Sequence, residues 1–196
     1  MTISASEIQK LRQQTSCGMM DCKKALEEAK GDFDKAVENL RKKGQEIALK
    51  KAGREVKEGV IGSYIHTNQK VGVMVEVLCE TDFVAKNKEF QELAKDIAMH
   101  IAANDSQYLK PEDIPKKVIE KEKEIYLEQV KSEDKPDNVK EKIVEGKIKK
   151  FKEEVSLLTQ PFFKDPKMTI SELLTAKIAK IGENIQIGEF IRYSLQ

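Results

Sequence analysis

VIGSYIH at residues 60–66 and VGVMVEV at residues 71–77 are two runs rich in β-branched and aromatic residues. A short polar break, TNQK at residues 67–70, separates them. Because Val recurs at every second position of the later run, the pattern has the period of a strand with one buried face. Two such runs around a short break predict a β-hairpin. NIQIGEFIRY at residues 184–193 also alternates, and it predicts a third strand that completes a three-stranded antiparallel sheet.

Helical spacing dominates the chain before the hairpin. Ser4 and Glu7 have the spacing of a capping box and predict the start of a first helix, which residues 15–18 interrupt. A second helix is expected over about 19–30, with Gly31 as its C-cap and Asp32 as the N-cap of a third. Gly44 is expected to stop that third helix, and residues 45–52 read as a basic linker helix. The apolar positions that predict a small shared core are Ile8, Leu11, Cys22, Ala25, Leu26, Ala29, Phe33, Ala36, Val37 and Leu40.

Further helices are predicted after the hairpin. Thr81 or Asp82 is expected to cap a helix whose apolar stripe runs from Phe90 to Ile101 and which ends at residues 104–105. Charged helices over about 116–131 and 137–158 are expected to pack as an antiparallel pair, with a turn at residues 135–136. Thr169 with Glu172 predicts the start of a last helix. The sequence therefore predicts an α+β fold, with a helical domain and linker at residues 1–53 and an α+β core at residues 54–196.

Composition limits the classes of function. The chain has 196 residues, 35% of them charged and only 6% aromatic, which is typical of a helix-rich protein with solvated faces. A net charge of +1 gives no strong case for nucleic-acid binding, although residues 1–57 hold 13 Lys and Arg against 9 Asp and Glu. No apolar run approaches the roughly 20 residues that span a bilayer. Three cysteines suggest free thiols in a reducing compartment, and we expect a cytoplasmic protein.

Residue patterns for catalysis are missing from the sequence. The chain has no phosphate-binding loop of the Gly-x4-Gly-Lys-Ser/Thr type. His66 and His100 lie in unrelated elements, and Cys17 and Cys22 have no further ligands at zinc spacing. We therefore expect no catalytic residue, no metal and no cofactor, and we predict that the protein is not an enzyme.

Two segments stand out from the pattern of core and surface. Met19 and Met20 are adjacent, and neighbouring side chains on a helix point about 100° apart, so both cannot face one small core. Residues 81–84 (TDFV) lie where a strand passes into a helix. Asp82 suits a helix N-terminus, and Phe83 precedes Phe90 by one heptad, so residue pattern alone favours a cap and a core position. An exposed wedge at the helix N-terminus is the alternative, and periodicity does not choose between the two.

The same segments resemble the elongation factor Ts family, the guanine-nucleotide exchange factors for elongation factor Tu. The resemblance covers the whole chain, and its most specific motif is TDFVAKN at residues 81–87. One departure is Leu78, where the family usually has Asn. The other stretches that resemble family motifs are LRQQT at 11–15, GMMDCKKAL at 18–26, GDFDKA at 31–36, EGKIKKF at 145–151, QPF at 160–162 and GENI at 182–185.

The resemblance implies a three-helix head like a ubiquitin-associated domain, and it assigns partner-binding residues. Thr81, Asp82, Phe83 and Val84 would dislodge Mg²⁺ in the GTPase domain of elongation factor Tu. The residues that would hold the head on that same domain are Arg12, Thr15, Gly18, Met19, Met20 and Lys23. No direct nucleotide, membrane or nucleic acid is implied. Since only one sheet is found, whereas long family members have two core subdomains, we expect a homodimer.

Three other classes of function compete with nucleotide exchange. One is an interaction protein whose head binds a helical or ubiquitin-like partner. Another is an RNA-binding factor that uses the basic first part of the chain. The third is an enzyme, for which the sequence offers no constellation of site residues.

Overall fold

The computed structural model describes residues 3–15, 17–131 and 136–195. It divides into two compact units, each made of three chain segments. The first unit comprises Met1–Val60, Val77–Gln91 and Glu172–Gln186. The second comprises Ile61–Glu76, Glu92–Ser171 and Ile187–Gln196. The boundary predicted after residue 53 stays a prediction.

Three helices form the head in the first unit: α1 (Ala5–Thr15), α2 (Met19–Glu28) and α3 (Phe33–Lys51). The predicted capping box is present, since the Ser4 N–H donates to the Glu7 carboxylate at 2.8 Å and the Glu7 N–H donates to Ser4 Oγ at 3.2 Å. Asp32 caps α3 by accepting from the Lys35 N–H at 3.1 Å. The predicted C-cap of α2 at Gly31 is wrong, because α2 ends at Glu28 and Ala29 is its C-cap, while Gly31 follows at φ +85°. The head encloses a core of Leu11, Cys22, Ala25, Leu26, Ala29, Ala36 and Leu40, against which Ile8, Phe33 and Val37 pack.

The predicted stop of the third helix at Gly44 is wrong. α3 continues through Gly44 to Lys51, so no separate linker helix exists at residues 45–52. Glycine costs a helix interior only about 1 kcal/mol relative to Ala. Gly44 is buried beside α8 (Ile170–Ile181), where an added Cβ would lie 3.7 Å from the Ala179 Cβ. Tertiary packing along this face therefore outweighs the local preference.

The predicted three-stranded sheet is confirmed, with β1 (Glu58–Ile65), β2 (Val71–Cys79) and β5 (Gln186–Ser194) in the order β1-β2-β5. The His66 N–H donates to the Val71 carbonyl at 2.8 Å, which closes the hairpin, and the Leu195 N–H donates to the Lys70 carbonyl at 2.8 Å. One face is buried through Val73, Val75, Val77 and Cys79. The fold class is α+β, as the alternating runs predict.

The helix expected from Thr81 or Asp82 through Ile101 is two helices. α4 (Asp82–Ala85) is a single turn, and α5 (Lys88–Asn104) begins separately. Asn87 causes the restart, because its Oδ1 accepts from the Glu89 N–H at 2.8 Å. The predicted stripe of α5 is buried, and Asp105 at φ +52° follows its last residue.

α6 (Lys116–Lys131) and α7 (Asp137–Val155) pack as the predicted antiparallel pair in the second unit. Lys147 Nζ lies 2.8 Å from Gln129 Oε1, and Lys140 Nζ lies 3.3 Å from the Lys131 carbonyl. α7 ends three residues before the predicted end, and Leu157–Thr159 is a separate 3-10 turn. Another 3-10 turn is Pro111–Asp113. Ser16 and Lys135, which belong to two predicted turns, lie outside the described residues.

A short hairpin that the periodicity did not predict precedes α8. It consists of β3 (Pro161–Phe162) and β4 (Asp165–Thr169). Behind it, His100 is fully buried with Nε2 3.0 Å from Gln160 Oε1, and the Phe163 N–H donates to its Nδ1 at 3.3 Å. Since Nδ1 accepts, Nε2 carries the proton and the imidazole is neutral. Burial lowers the pKa of His100.

This histidine predicts a loss of stability in mild acid. The unfolded chain binds a proton at His100 near pH 6.5, while the folded chain resists that proton. Between pH 7.5 and pH 5.5, the free energy of unfolding should fall by up to about 1.4 kcal/mol on this account. Urea unfolding followed by circular dichroism at both pH values measures the difference.

The two histidines of the chain supply the matched variants. His100→Gln should be less stable at pH 7.5 but should lose less stability between the two pH values than the parent. His66→Gln changes an exposed side chain and is the matched comparison variant. Equal losses in all three proteins would exclude His100 as the source.

Candidate partner-binding surface

The segment at residues 81–84 follows β2 and forms the N-cap and the first three residues of α4. Thr81 is the N-cap of α4, and its Oγ1 lies 3.5 Å from the Val84 N–H. Thr81 and Val84 are half-buried, whereas Ala85 faces the interior. The short helix therefore has one inward side, and the rest of its surface faces solvent.

Phe83 is the most exposed large apolar side chain among the described residues, with 82% of its surface accessible. Asp82 beside it is half-exposed and accepts a hydrogen bond from Lys86 Nζ at 2.7 Å. That hydrogen bond is the main cause that lowers the pKa of Asp82. The tip of α4 thus combines an accessible aromatic ring with an ionised carboxylate.

The core position that the heptad spacing favours for Phe83 is not observed. Phe90 is fully buried while Phe83 is exposed, because the break at residues 86–87 interrupts the helical phase between them. No single stripe can then hold both rings.

Behind the tip, two segments of the first unit are joined by hydrogen bonds to the carboxylates of Glu183 and Glu80. Glu183 Oε2 accepts from the Glu80 and Thr81 N–H groups at 3.1 Å each, and its Oε1 accepts from the Thr81 hydroxyl at 2.7 Å. In return, Glu80 Oε1 accepts from the Asn184 N–H at 2.6 Å, which is the main cause that lowers the pKa of Glu80. These contacts join segments about a hundred positions apart, so sequence spacing gives no signal for them.

The head presents most of its predicted contact residues to solvent. Met19 and Met20 begin α2 with 56% and 63% of their surfaces accessible, so both face outward. Arg12, Gly18 and Lys23 are also exposed.

Thr15 differs from the other predicted head residues. It is half-buried and donates its hydroxyl hydrogen to the Leu11 carbonyl at 2.8 Å. Its side chain therefore forms a hydrogen bond within the last turn of α1.

Metal-ligand groups and membrane-spanning helices are missing from the described part of the chain. Within residues 3–15, 17–131 and 136–195, no three His, Cys, Asp or Glu side chains are grouped to hold a metal ion. Cys17, Cys22 and Cys79 are free thiols. In the same ranges, no helix has the length and apolar character needed to cross a membrane.

Comparison with known proteins assigns the chain to one family. The sequence model of the family described as "Elongation factor TS" matches residues 4–196. Elongation factor Ts of Thermodesulfovibrio yellowstonii is 58% identical over 195 residues, which cover 100% of this chain and 97% of that protein. Elongation factor Ts of Carboxydothermus hydrogenoformans is 56% identical over 193 residues, or 98% of this chain and 89% of that protein.

A further relative also matches this chain over almost its full length. Elongation factor Ts of Thermosipho melanesiensis is 54% identical over 193 residues, which are 98% of both chains. The family match and these relatives extend over nearly the whole sequence, and they include residues 81–84. The chain therefore belongs to the elongation factor Ts family.

Proposed function

We propose that residues 81–84 are the part of this chain that acts on elongation factor Tu. The function of the elongation factor Ts family is nucleotide exchange on elongation factor Tu. The chain accordingly binds the GDP form, dislodges Mg²⁺ and promotes release of GDP so that GTP can bind. The exposure of Phe83 near the start of a one-turn helix is the observation that supports this assignment most directly.

The mechanism rests on linkage between two binding sites. Phe83 gains about 1.5–3 kcal/mol when its ring leaves water for an apolar cleft of the partner. A partner conformer that opens this cleft at the expense of its Mg²⁺ site loses the clamp on the phosphate oxygens of the nucleotide. The factor then weakens GDP binding by the same ratio by which GDP weakens binding of the factor. Rebinding of GTP with Mg²⁺ restores the closed site and ejects the factor.

In this proposal the head supplies affinity. Arg12, Gly18, Met19, Met20 and Lys23 form a surface with soft apolar side chains and positive charge, which suits an amphipathic face of the GTPase domain. Thr15 is half-buried beside these residues, and in this proposal it contributes to the same surface while its hydroxyl donates to the Leu11 carbonyl. The protein changes no covalent bond, so it is an exchange factor and not an enzyme, and it works in the cytoplasm.

Stopped-flow release of a fluorescent GDP analogue from elongation factor Tu tests the proposal. Catalytic amounts of this chain should accelerate release, and they should do so without nucleic acid. If release is not accelerated although the two proteins bind each other, the chain is an interaction protein. Salt-sensitive retention on RNA without acceleration would favour the RNA-binding alternative.

We also propose that two copies of the chain pair through the outer face of the sheet. The side chains on this face that are 45–71% exposed are Ile61, Ile65, Met74, Ile191, Tyr193 and Leu195. They come from all three strands, and Met74 lies on the central one. An apolar face of this extent is unusual on a monomer. A face that is the same on both copies suits a two-fold dimer in which the sheets stack.

A further inference from the structure

We propose that Glu183 is a positioning residue for exchange, which holds the turn at residues 80–81 so that α4 presents Phe83 to the partner. This inference rests on the proposed role of residues 81–84. Glu183 is half-buried behind the turn. Its part is to accept the hydrogen bonds that fix where α4 begins.

α4 cannot hold its own shape. It has four residues, of which only Ala85 is buried. A first helical turn fixes several backbone dihedrals for one hydrogen bond, so an isolated turn is unfavourable in water by a factor of about a thousand. The Asp82–Lys86 pair on its surface is solvent-exposed and adds little. The turn must therefore be fixed by tertiary contacts at its start.

Glu183 supplies those contacts. One carboxylate accepts two backbone N–H groups at 3.1 Å and one hydroxyl at 2.7 Å, all from Glu80 and Thr81. Charge-assisted hydrogen bonds of this kind are about twice as strong as neutral ones. Thr81 Oγ1 is held at the same time, and that atom is the acceptor for the Val84 N–H. By holding Thr81 Oγ1, Glu183 therefore also fixes the first turn of α4.

The segment that carries Glu183 is itself anchored. Gly182 adopts φ +87°, a left-handed conformation that ends α8 and that only glycine adopts without strain. Asn184 is 2% exposed and donates its side-chain amide to the Arg54 carbonyl at 2.8 Å. Glu80 completes the link by accepting from the Asn184 N–H. Glu183 thus reaches Thr81 from a backbone fixed on both sides.

Removal of the Glu183 carboxylate should leave the protein folded and reduce the fraction of chains with an ordered tip. The apparent activity falls in proportion to that fraction. We expect Glu183→Ala to slow GDP release from elongation factor Tu about tenfold at equal concentrations of factor, which corresponds to about 1.4 kcal/mol. Glu183→Gln should recover activity to within about threefold of the parent, because an amide oxygen can accept both N–H groups while the amide nitrogen donates to Thr81 Oγ1.

A double-mutant cycle with Phe83 separates positioning from general damage. If Glu183 acts through the tip, Glu183→Ala should change the rate less than about twofold in a Phe83→Ala background. Glu89→Ala is the matched control, because Glu89 is another half-buried carboxylate that binds α8, through Lys177 and Lys180 at 2.6 and 2.7 Å. Any loss it causes should be equal in both backgrounds. The Glu80 and Thr81 amide hydrogens should exchange faster with solvent in Glu183→Ala than in the parent, and they should not do so in Glu89→Ala.

The outcomes distinguish this inference from the proposal on which it rests. If the parent chain does not accelerate GDP release, the exchange role of residues 81–84 fails. If Phe83→Ala loses activity while Glu183→Ala keeps it, only the positioning role fails. The positioning role fails as well if the losses from Glu183→Ala and Phe83→Ala multiply.

Discussion

Replacement of both Asp82 and Phe83 by Ala should lower the rate at which this chain promotes GDP release by about 30- to 1000-fold. This is the range expected for a binding hot spot of about 2–4 kcal/mol. The free energy of unfolding should stay within about 0.5 kcal/mol of the parent, because both substitutions lie at the surface. Phe83 has little contact to lose within its own chain, since 82% of its surface is accessible. Stopped-flow kinetics and urea unfolding of the same preparation measure both quantities.

Single variants and one control complete this test. Phe83→Ala should account for most of the loss, and Asp82→Ala for a smaller part. Leu49→Ala removes another exposed apolar side chain of the same unit, with 76% of its surface accessible, and should leave exchange unchanged. Equal activity of the double variant and the parent would contradict the assignment of residues 81–84. A matching loss of stability would mean that the tip is part of the core.

Met74→Asp should convert the free protein from a dimer of about 45 kDa to a monomer of 22.3 kDa. Met74 lies at the centre of the exposed sheet face, so two-fold pairing brings the two introduced carboxylates into one apolar interface. Like charges placed together in this way cost several kcal/mol, which raises the dissociation constant by a factor of at least about a hundred. Light scattering and sedimentation equilibrium at a few concentrations report the mass directly.

The control for the dimer is a charge at an exposed apolar position elsewhere. Leu49→Asp adds the same charge on α3 and should leave the mass unchanged. Circular dichroism should be parental in both variants, since neither position is buried. A clean monomer for the parent protein would refute pairing before any variant is made.

The sheet and the head could be predicted from sequence because their signals are local. Alternating Val positions marked β2, and Ser4 and Asp32 marked helix starts through bonds to residues three positions away. The prediction at Gly44 failed because its cause is not local: α3 continues through Gly44, where it packs against Ala179 of α8. The β3–β4 hairpin is too short to produce a period.

The candidate site shows where periodicity failed and where resemblance helped. Phe83 and Phe90 have heptad spacing, yet one is exposed and the other buried. The decisive residue is Asn87, whose side chain starts a new helix between them, and an Asn before Lys-Glu is a readable but weak capping signal. Motif resemblance pointed to the segment without giving its geometry. Glu183 could not be paired with Thr81 from spacing, because nothing local links the two.

The hydrogen bonds between Thr81 and Glu183 can form only late in the synthesis of the chain. Ribosomes deliver the chain from its N-terminus, so Thr81 emerges long before the carboxylate that receives its N–H. Until then the turn at residues 80–81 has only water as a partner for these donors. The loop to be closed is about a hundred residues long, which makes this one of the later contacts to form. A growing chain therefore carries the start of α4 without these bonds until translation has passed α8.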